Sequence, residues 1–193
     1  MTAPDVMLQL ARAFPAALAP RVDAVAGRLA LDQPRIPPQC FAVRLHGEEL
    51  FIPERLYCEP EALLAATRTE GIEGAIALCL GTRDHDGFVR EHCVRRLLGE
   101  RHDWVVPFDV PFVVRLVGEY VAQIVAAIEA ALPDLDTAAY GSFLRDNPRF
   151  LDTTERRVIS YWYAYQHVGY RERGAEPGSR VIAAFRRMAE GLA

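Results

Sequence analysis

Residues 77–98 run Ala77-Leu78-Cys79-Leu80-Gly81-Thr82-Arg83-Asp84-His85-Asp86-Gly87-Phe88-Val89-Arg90-Glu91-His92-Cys93-Val94-Arg95-Arg96-Leu97-Leu98, and their order sets the fold class. An apolar segment ends at Gly81, where the missing side chain breaks helical continuity. A polar turn follows. Asp84 or Asp86 can accept a first-turn amide of the next helix. Val89, Cys93 and Leu97 then recur at i, i+4 and i+8 and mark one apolar stripe. This is a helix–turn–helix reading, with helices over about 72–80 and 88–98.

Working outward, the same punctuation repeats. Pro60 opens a helix through Arg68. A long apolar segment after Trp104, up to Leu132, reads as one helix kinked near Pro107 or Pro111. Thr137–Asp146 is a short helix stopped at Asn147-Pro148. Asp152-Thr153-Thr154-Glu155 reads as a helix start, with that helix reaching Val168. Ser179–Gly191 closes the chain as a helix. Towards the N-terminus, residues 5–30 read as helix broken near Pro15 and Pro20, and Asp32–Pro38 as an extended proline-rich linker. Phe41-Ala42-Val43-Arg44-Leu45 and Glu49-Leu50-Phe51-Ile52 flank His46-Gly47, which predicts one β-hairpin over about 41–53. The expectation is a single, mainly α domain over 1–193. Residues 1–38 form N-terminal helices and linker, 39–57 the hairpin, and 59–193 a compact stack of helical hairpins.

The segment 77–98 resembles a HEAT repeat, in which an apolar helix ends at an aspartate-bearing turn and the next helix opens with Val-Arg. The resemblance covers one repeat. It implies a HEAT-like stack, an Arg90 that bonds a neighbouring turn aspartate, and a protein-binding surface.

Composition narrows the chemistry. The chain has 193 residues, a net charge of -4 and 51% apolar content, which suits one globular domain and argues against a duplex-binding surface. Every one of its 22 basic residues is arginine. Phosphate-loop, Schiff-base and Ser–Lys chemistry are excluded, because each requires a lysine amine. The start MTAPDVMLQLARAF lacks the basic and apolar order of a secretory signal. A cytosolic location with reduced thiols is expected, Cys79 and Cys93 serving as small core residues. Acids and Arg115 interrupt the apolar run 105–132, so no membrane span is expected.

Two sets of candidate residues emerge. The first is aromatic. Tyr161-Trp162-Tyr163-Ala164-Tyr165-Gln166-His167 cannot turn every ring to one core, so some rings must reach the surface. Tyr161, Tyr163 and His167, with Trp104 and Arg90, are the expected partner-binding residues. Arginines nearby raise single-stranded nucleic acid as a weaker possibility, opposed by the acidic total. The second set is catalytic. His85-Asp86 is similar to the metal-binding His-Asp pair of HD phosphohydrolases, with His46 as the one candidate for the earlier histidine. Glu119 lies on an Arg115, Glu119, Gln123 ridge that reads either as a solvated stripe or as a partly buried carboxylate paired with Arg90.

The leading expectation is a non-catalytic cytosolic adaptor, regulator or inhibitor, without cofactor or metal, that binds another protein. The alternative is a metal-assisted hydrolase using His85, Asp86, and His46 or Glu119.

Overall fold

The computed structural model describes residues 10–29, 39–99, 107–166 and 172–192. The protein is mainly helical, with nine α-helices and one two-stranded antiparallel hairpin among the described residues. Contacts divide it into two compact units, Met1–Leu97 and Leu98–Ala193. The proline-rich linker, Trp104 and His167 lie outside the described residues.

In the first unit, Pro20 sits in the first turn of α1 (Ala19–Arg28), where its missing N–H costs nothing. Strands β1 (Cys40–Leu45) and β2 (Glu48–Pro53) pair with Leu45 opposite Glu48. His46 and Gly47 both take positive φ, 49° and 86°, as a two-residue type I′ turn requires. The two-residue period buries Val43, Leu45, Leu50 and Ile52 and exposes Ala42 and Arg44. The outer edge of β2 is held by Phe51 N–H donating to the Arg12 carbonyl at 2.8 Å. The Arg12 guanidinium lies 4.1 Å over the Phe51 ring.

Helix α2 (Pro60–Thr67) is capped by Glu59, which accepts the Ala62 amide at 2.8 Å. Helix α3 (Gly71–Gly81) is buried from Gly74 to Gly81, since it is apolar on every face and packs against both α1 and α2. Helix α4 (Gly87–Gly99) follows the turn. Its buried stripe is Arg90, Cys93, Val94 and Leu97, while Val89 is only half-buried. The expected Val89–Cys93–Leu97 stripe is therefore rotated towards Arg90.

The second unit is built around α5 (Val110–Leu116), all seven residues of which are buried. Helix α6 (Ala122–Ala131) follows. The single long helix expected to Leu132 is thus two helices. Gly118 lies at the break, in close contact with α8 (Pro148–Tyr161): a Cβ there would meet Arg157 Cβ at 3.1 Å. Arg115 and Glu119 are both buried, and Gln123 alone of that ridge is exposed, on the next helix. The solvated-stripe reading is overturned.

Helix α7 (Thr137–Asp146) is capped by Asp136, which accepts the amides of Ala138 and Ala139. Helix α8 begins at Pro148, earlier than expected, because proline fits the first helical position. Asp152–Glu155 is mid-helix, and the Thr153 and Thr154 hydroxyls donate one turn back to the Arg149 and Phe150 carbonyls. Helix α9 (Pro177–Glu190) packs on α6, α7 and α8. Buried Glu176 caps it through the Gly178 and Ser179 amides, and Gly191 closes it in the left-handed region.

At Gly141, α7 and α9 come so close that a Cβ would lie 2.5 Å from the Met188 carbonyl. The chain must shift to admit a methyl group. Gly141→Ala is expected to lower unfolding stability by about 1–3 kcal/mol, read as an earlier urea midpoint at unchanged slope.

Candidate functional site

The turn between α3 and α4 is tied to the exit of the hairpin. Leu56 N–H donates to the Arg83 carbonyl at 2.7 Å, and His85 N–H returns to the Leu56 carbonyl at 2.8 Å, a short parallel bridge. Arg83 is fully buried. Its Nε and Nη2 donate to the Pro53 and Glu54 carbonyls at 3.2 and 2.7 Å. Arg90 is equally buried and donates Nη1 to the Asp84 and His85 carbonyls, both at 2.9 Å. It braces its own turn through backbone oxygens. Having no exposed surface, it cannot meet a partner in this conformation. Asp84, also buried, accepts the Cys58 amide at 3.2 Å and the Asp86 amide at 2.9 Å. Asp86 caps α4 through the Phe88 amide at 2.8 Å.

His85 has a half-exposed side chain that stacks on Tyr57 with centroids 4.7 Å apart, and its Nδ1 lies 3.1 Å from Asp84 Oδ1. His46 is exposed at the hairpin turn. Among the described residues no three His, Cys, Asp or Glu side chains are grouped to hold a metal ion. The structure uses Asp86 as a cap and His85 as a lid on Tyr57. Glu119 belongs to the second unit, where it is buried in the loop after α5 with its N–H donating to the Leu116 carbonyl at 3.1 Å.

The four cysteines are free thiols: Cys58, Cys79 and Cys93 are buried and Cys40 half-buried. Burial, then the charge of Asp84, pushes the Cys93 thiol up to about 12. Burial and a hydrogen bond to Asp84 raise Cys58 further. Both are protonated at neutral pH and are poor nucleophiles.

The second unit carries the aromatic surface. Helix α8 lays Thr154, Arg157 and Tyr161 along one face, against the loop 117–121. Thr154 and Arg157 meet Gly118, and the Tyr161 ring lies 6.1 Å from that of Tyr120. Beyond Tyr161 the helix widens into a π turn, Trp162–Gln166, a distortion common at functional sites. There Trp162 meets Tyr163 edge-on at 4.8 Å. Tyr163 is 64% exposed and Tyr120 53%, while Tyr161 and Trp162 are half-buried. Of the two tyrosines expected from the sequence, Tyr161 is joined by Tyr120 and Tyr163 lies against Trp162. Tyr120 falls within the segment expected to be one long helix to Leu132. Gly118 two residues earlier was the signal that the helix ends and the ring turns out. Phe88, 84% exposed on α4, is a separate apolar point on the first unit.

No family model, curated protein or solved structure matches the chain.

Because Cys58 and Cys93 hold their protons more tightly when folded, folding binds protons above the ordinary thiol range near pH 9. Their stabilising contribution is complete below pH 9 and is lost as pH rises towards 12. Equilibrium unfolding across that window should show falling stability, with a shallower fall in Cys93→Ala. Native protein should expose at most Cys40 to a thiol reagent. Arg83→Leu, which leaves the Pro53 carbonyl buried without its donor while Arg55 still donates to that of Glu54, is expected to cost about 1–3 kcal/mol. Faster amide exchange should then localise to residues 53–58.

Proposed function

We propose that the chain is a protein-interaction module, a cytosolic adaptor, regulator or inhibitor with a HEAT-like helical surface, and that the aromatic face of the second unit is where its partner docks. The observation that carries this reading is two ring pairs at the end of α8, Tyr120–Tyr161 and Trp162–Tyr163, with one ring of each pair more than half exposed. Tyrosine and tryptophan bring large contact area with little side-chain entropy to lose, and they dominate the energetics of protein interfaces. A ring that serves only stability would be turned inward. Here Tyr163 sits at a widened helical turn that presents it to solvent.

The remaining features fit the same role. The most conspicuous polar constellation, around Arg83, Asp84 and Arg90, is spent on backbone carbonyls and amides of the fold itself. The absence of lysine in the sequence removes several covalent mechanisms. No described helix is long and apolar enough to cross a membrane.

The test is affinity capture of the tagged full chain from its own host, with wild type, Tyr163→Ala and Tyr120→Ala compared. One partner at fixed stoichiometry is expected, its affinity about tenfold lower with Tyr163→Ala. The thermal midpoint should be unchanged, since the ring is exposed. Failure to retain any partner, or one held equally by all three proteins, would overturn the reading.

A further inference from the structure

Gly118 stands at the edge between buried and exposed chain. Residues 110–119 are buried without a gap, and Tyr120, next in the chain, is exposed. The chain leaves α5 through tight turns, with Val117 N–H donating to the Val114 carbonyl at 3.3 Å and Glu119 N–H to the Leu116 carbonyl at 3.1 Å. Helix α6 begins from Val121, whose carbonyl accepts the Ile124 amide at 3.1 Å. Between these ends the loop lies on α8. A Cβ at position 118 would meet Arg157 Cβ at 3.1 Å, Arg157 Cδ at 3.3 Å and Thr154 Cγ2 at 3.5 Å. Gly118 is not among the glycines of positive φ, so no left-handed backbone demands glycine there. The close approach of loop to helix does.

The helix on the other side of that contact is seated elsewhere. Leu151, Thr154 and Val158 are buried, and Arg186 of α9 donates Nη2 to Asp152 Oδ1 at 2.6 Å and to Glu155 Oε2 at 2.7 Å. Where loop and helix contend for space, the loop is the part that yields. Arg157 and Tyr161 are one turn apart on α8, and Gly118 and Tyr120 are two residues apart on the loop. The contact at Gly118 therefore adjoins the Tyr120–Tyr161 pair, whose centroids, 6.1 Å apart, lie within the range of a favourable aromatic pair.

We infer that Gly118 is a positioning residue of the docking surface: because it has no side chain, the 117–121 loop closes on Arg157, and that closure sets Tyr120 against Tyr161 before any partner arrives. The inference rests on the protein-binding reading above for the use of the pair, and adds what holds the pair in place. Tyr120 comes from the loop and Tyr161 from the helix, so a tertiary contact sets their spacing. Trp162 and Tyr163 are consecutive, and their spacing follows from local backbone alone. Rings ordered in advance lose less freedom when a partner binds, and a site is precise when its supporting residues lock it. A methyl group at position 118 must open the contact by a few tenths of an ångström, and Tyr120 moves with the loop.

The test is fluorine NMR of the full chain with fluorotyrosine in place of tyrosine, the resonances assigned with Tyr120→Phe, Tyr161→Phe and Tyr163→Phe. Gly118→Ala should move the Tyr120 resonance by more than its linewidth and leave that of Tyr163 in place. Adding Arg157→Ala, which removes the stem that meets the methyl group, should bring Tyr120 part of the way back. A glycine that only relieves crowding would cost stability and leave the Tyr120 resonance where it is. If Gly118→Ala does not fold, Arg157→Ala alone decides, since withdrawing the stem from the loop should also move Tyr120 and spare Tyr163. A Tyr120 resonance that stays put, or a Tyr163 shift as large as that of Tyr120, would overturn the inference. In the host capture, Gly118→Ala should weaken the partner about fivefold. A partner that needs Tyr163 but is held at wild-type affinity by Gly118→Ala overturns the inference and leaves the module standing. The expected fluorine shifts with no partner captured sink the module and leave the positioning of the pair standing.

Discussion

Two guanidinium groups buried beside one turn hold the first unit together. Arg83 and Arg90 reach outward from either side of Asp84 and donate to carbonyls at the end of β2 and in the turn itself. A buried cation is costly unless it is hydrogen-bonded. Here the acceptors are main-chain oxygens, those of Pro53 and Asp84 buried and those of Glu54 and His85 partly so. Hairpin exit and helical turn therefore satisfy each other. A two-stranded hairpin is marginal by itself in water, and this one gains its stability from that attachment and from the Arg12–Phe51 contact on its far edge.

The same node decides what the chain's most suggestive dipeptide can be. His85-Asp86 sits where a metal-binding pair would draw attention, yet Asp86 is engaged as a helix cap and His85 lies against Tyr57. Burial, and then the nearby charge of Asp84, makes Cys58 and Cys93 less acidic. Chemistry-bearing side chains have been absorbed into architecture. The exposed rings that remain are Tyr120 and Tyr163 in the second unit and Phe88 in the first.

The local rules were legible wherever a residue acts through its own backbone. His46-Gly47 announced the hairpin because both positions need positive φ. Gly81, Gly99 and Asn147 marked helix ends, and Asp136 and Glu176 sit at the starts they cap. What escaped was tertiary. In Val113–Val125 the polar residues Arg115, Glu119 and Gln123 recur at helical spacing, so periodicity could not reveal the break at Gly118, which arises where the loop packs against Arg157. Arg83 and Arg90 look like surface residues, since arginine is rarely fully buried, and nothing local predicts the carbonyls that receive them. Tyr161 and Tyr163 were legible as too many rings for one face. Tyr120 was not, because its exposure follows from the helix break.

Helix α8 has three faces with separate duties. One meets the 117–121 loop, one meets α9 through Arg186, and one faces solvent. Folding stability and surface chemistry are therefore written in different positions of a single helix. Substitutions at Thr153, Arg156 or Ser160 cost little in stability, whereas changes at Leu151, Thr154 or Val158 strike buried positions. Mutation can accordingly retune the outward stripe step by step without carrying the chain towards its unfolding threshold. The helix is a place where the exposed surface can change quickly while the fold stays fixed.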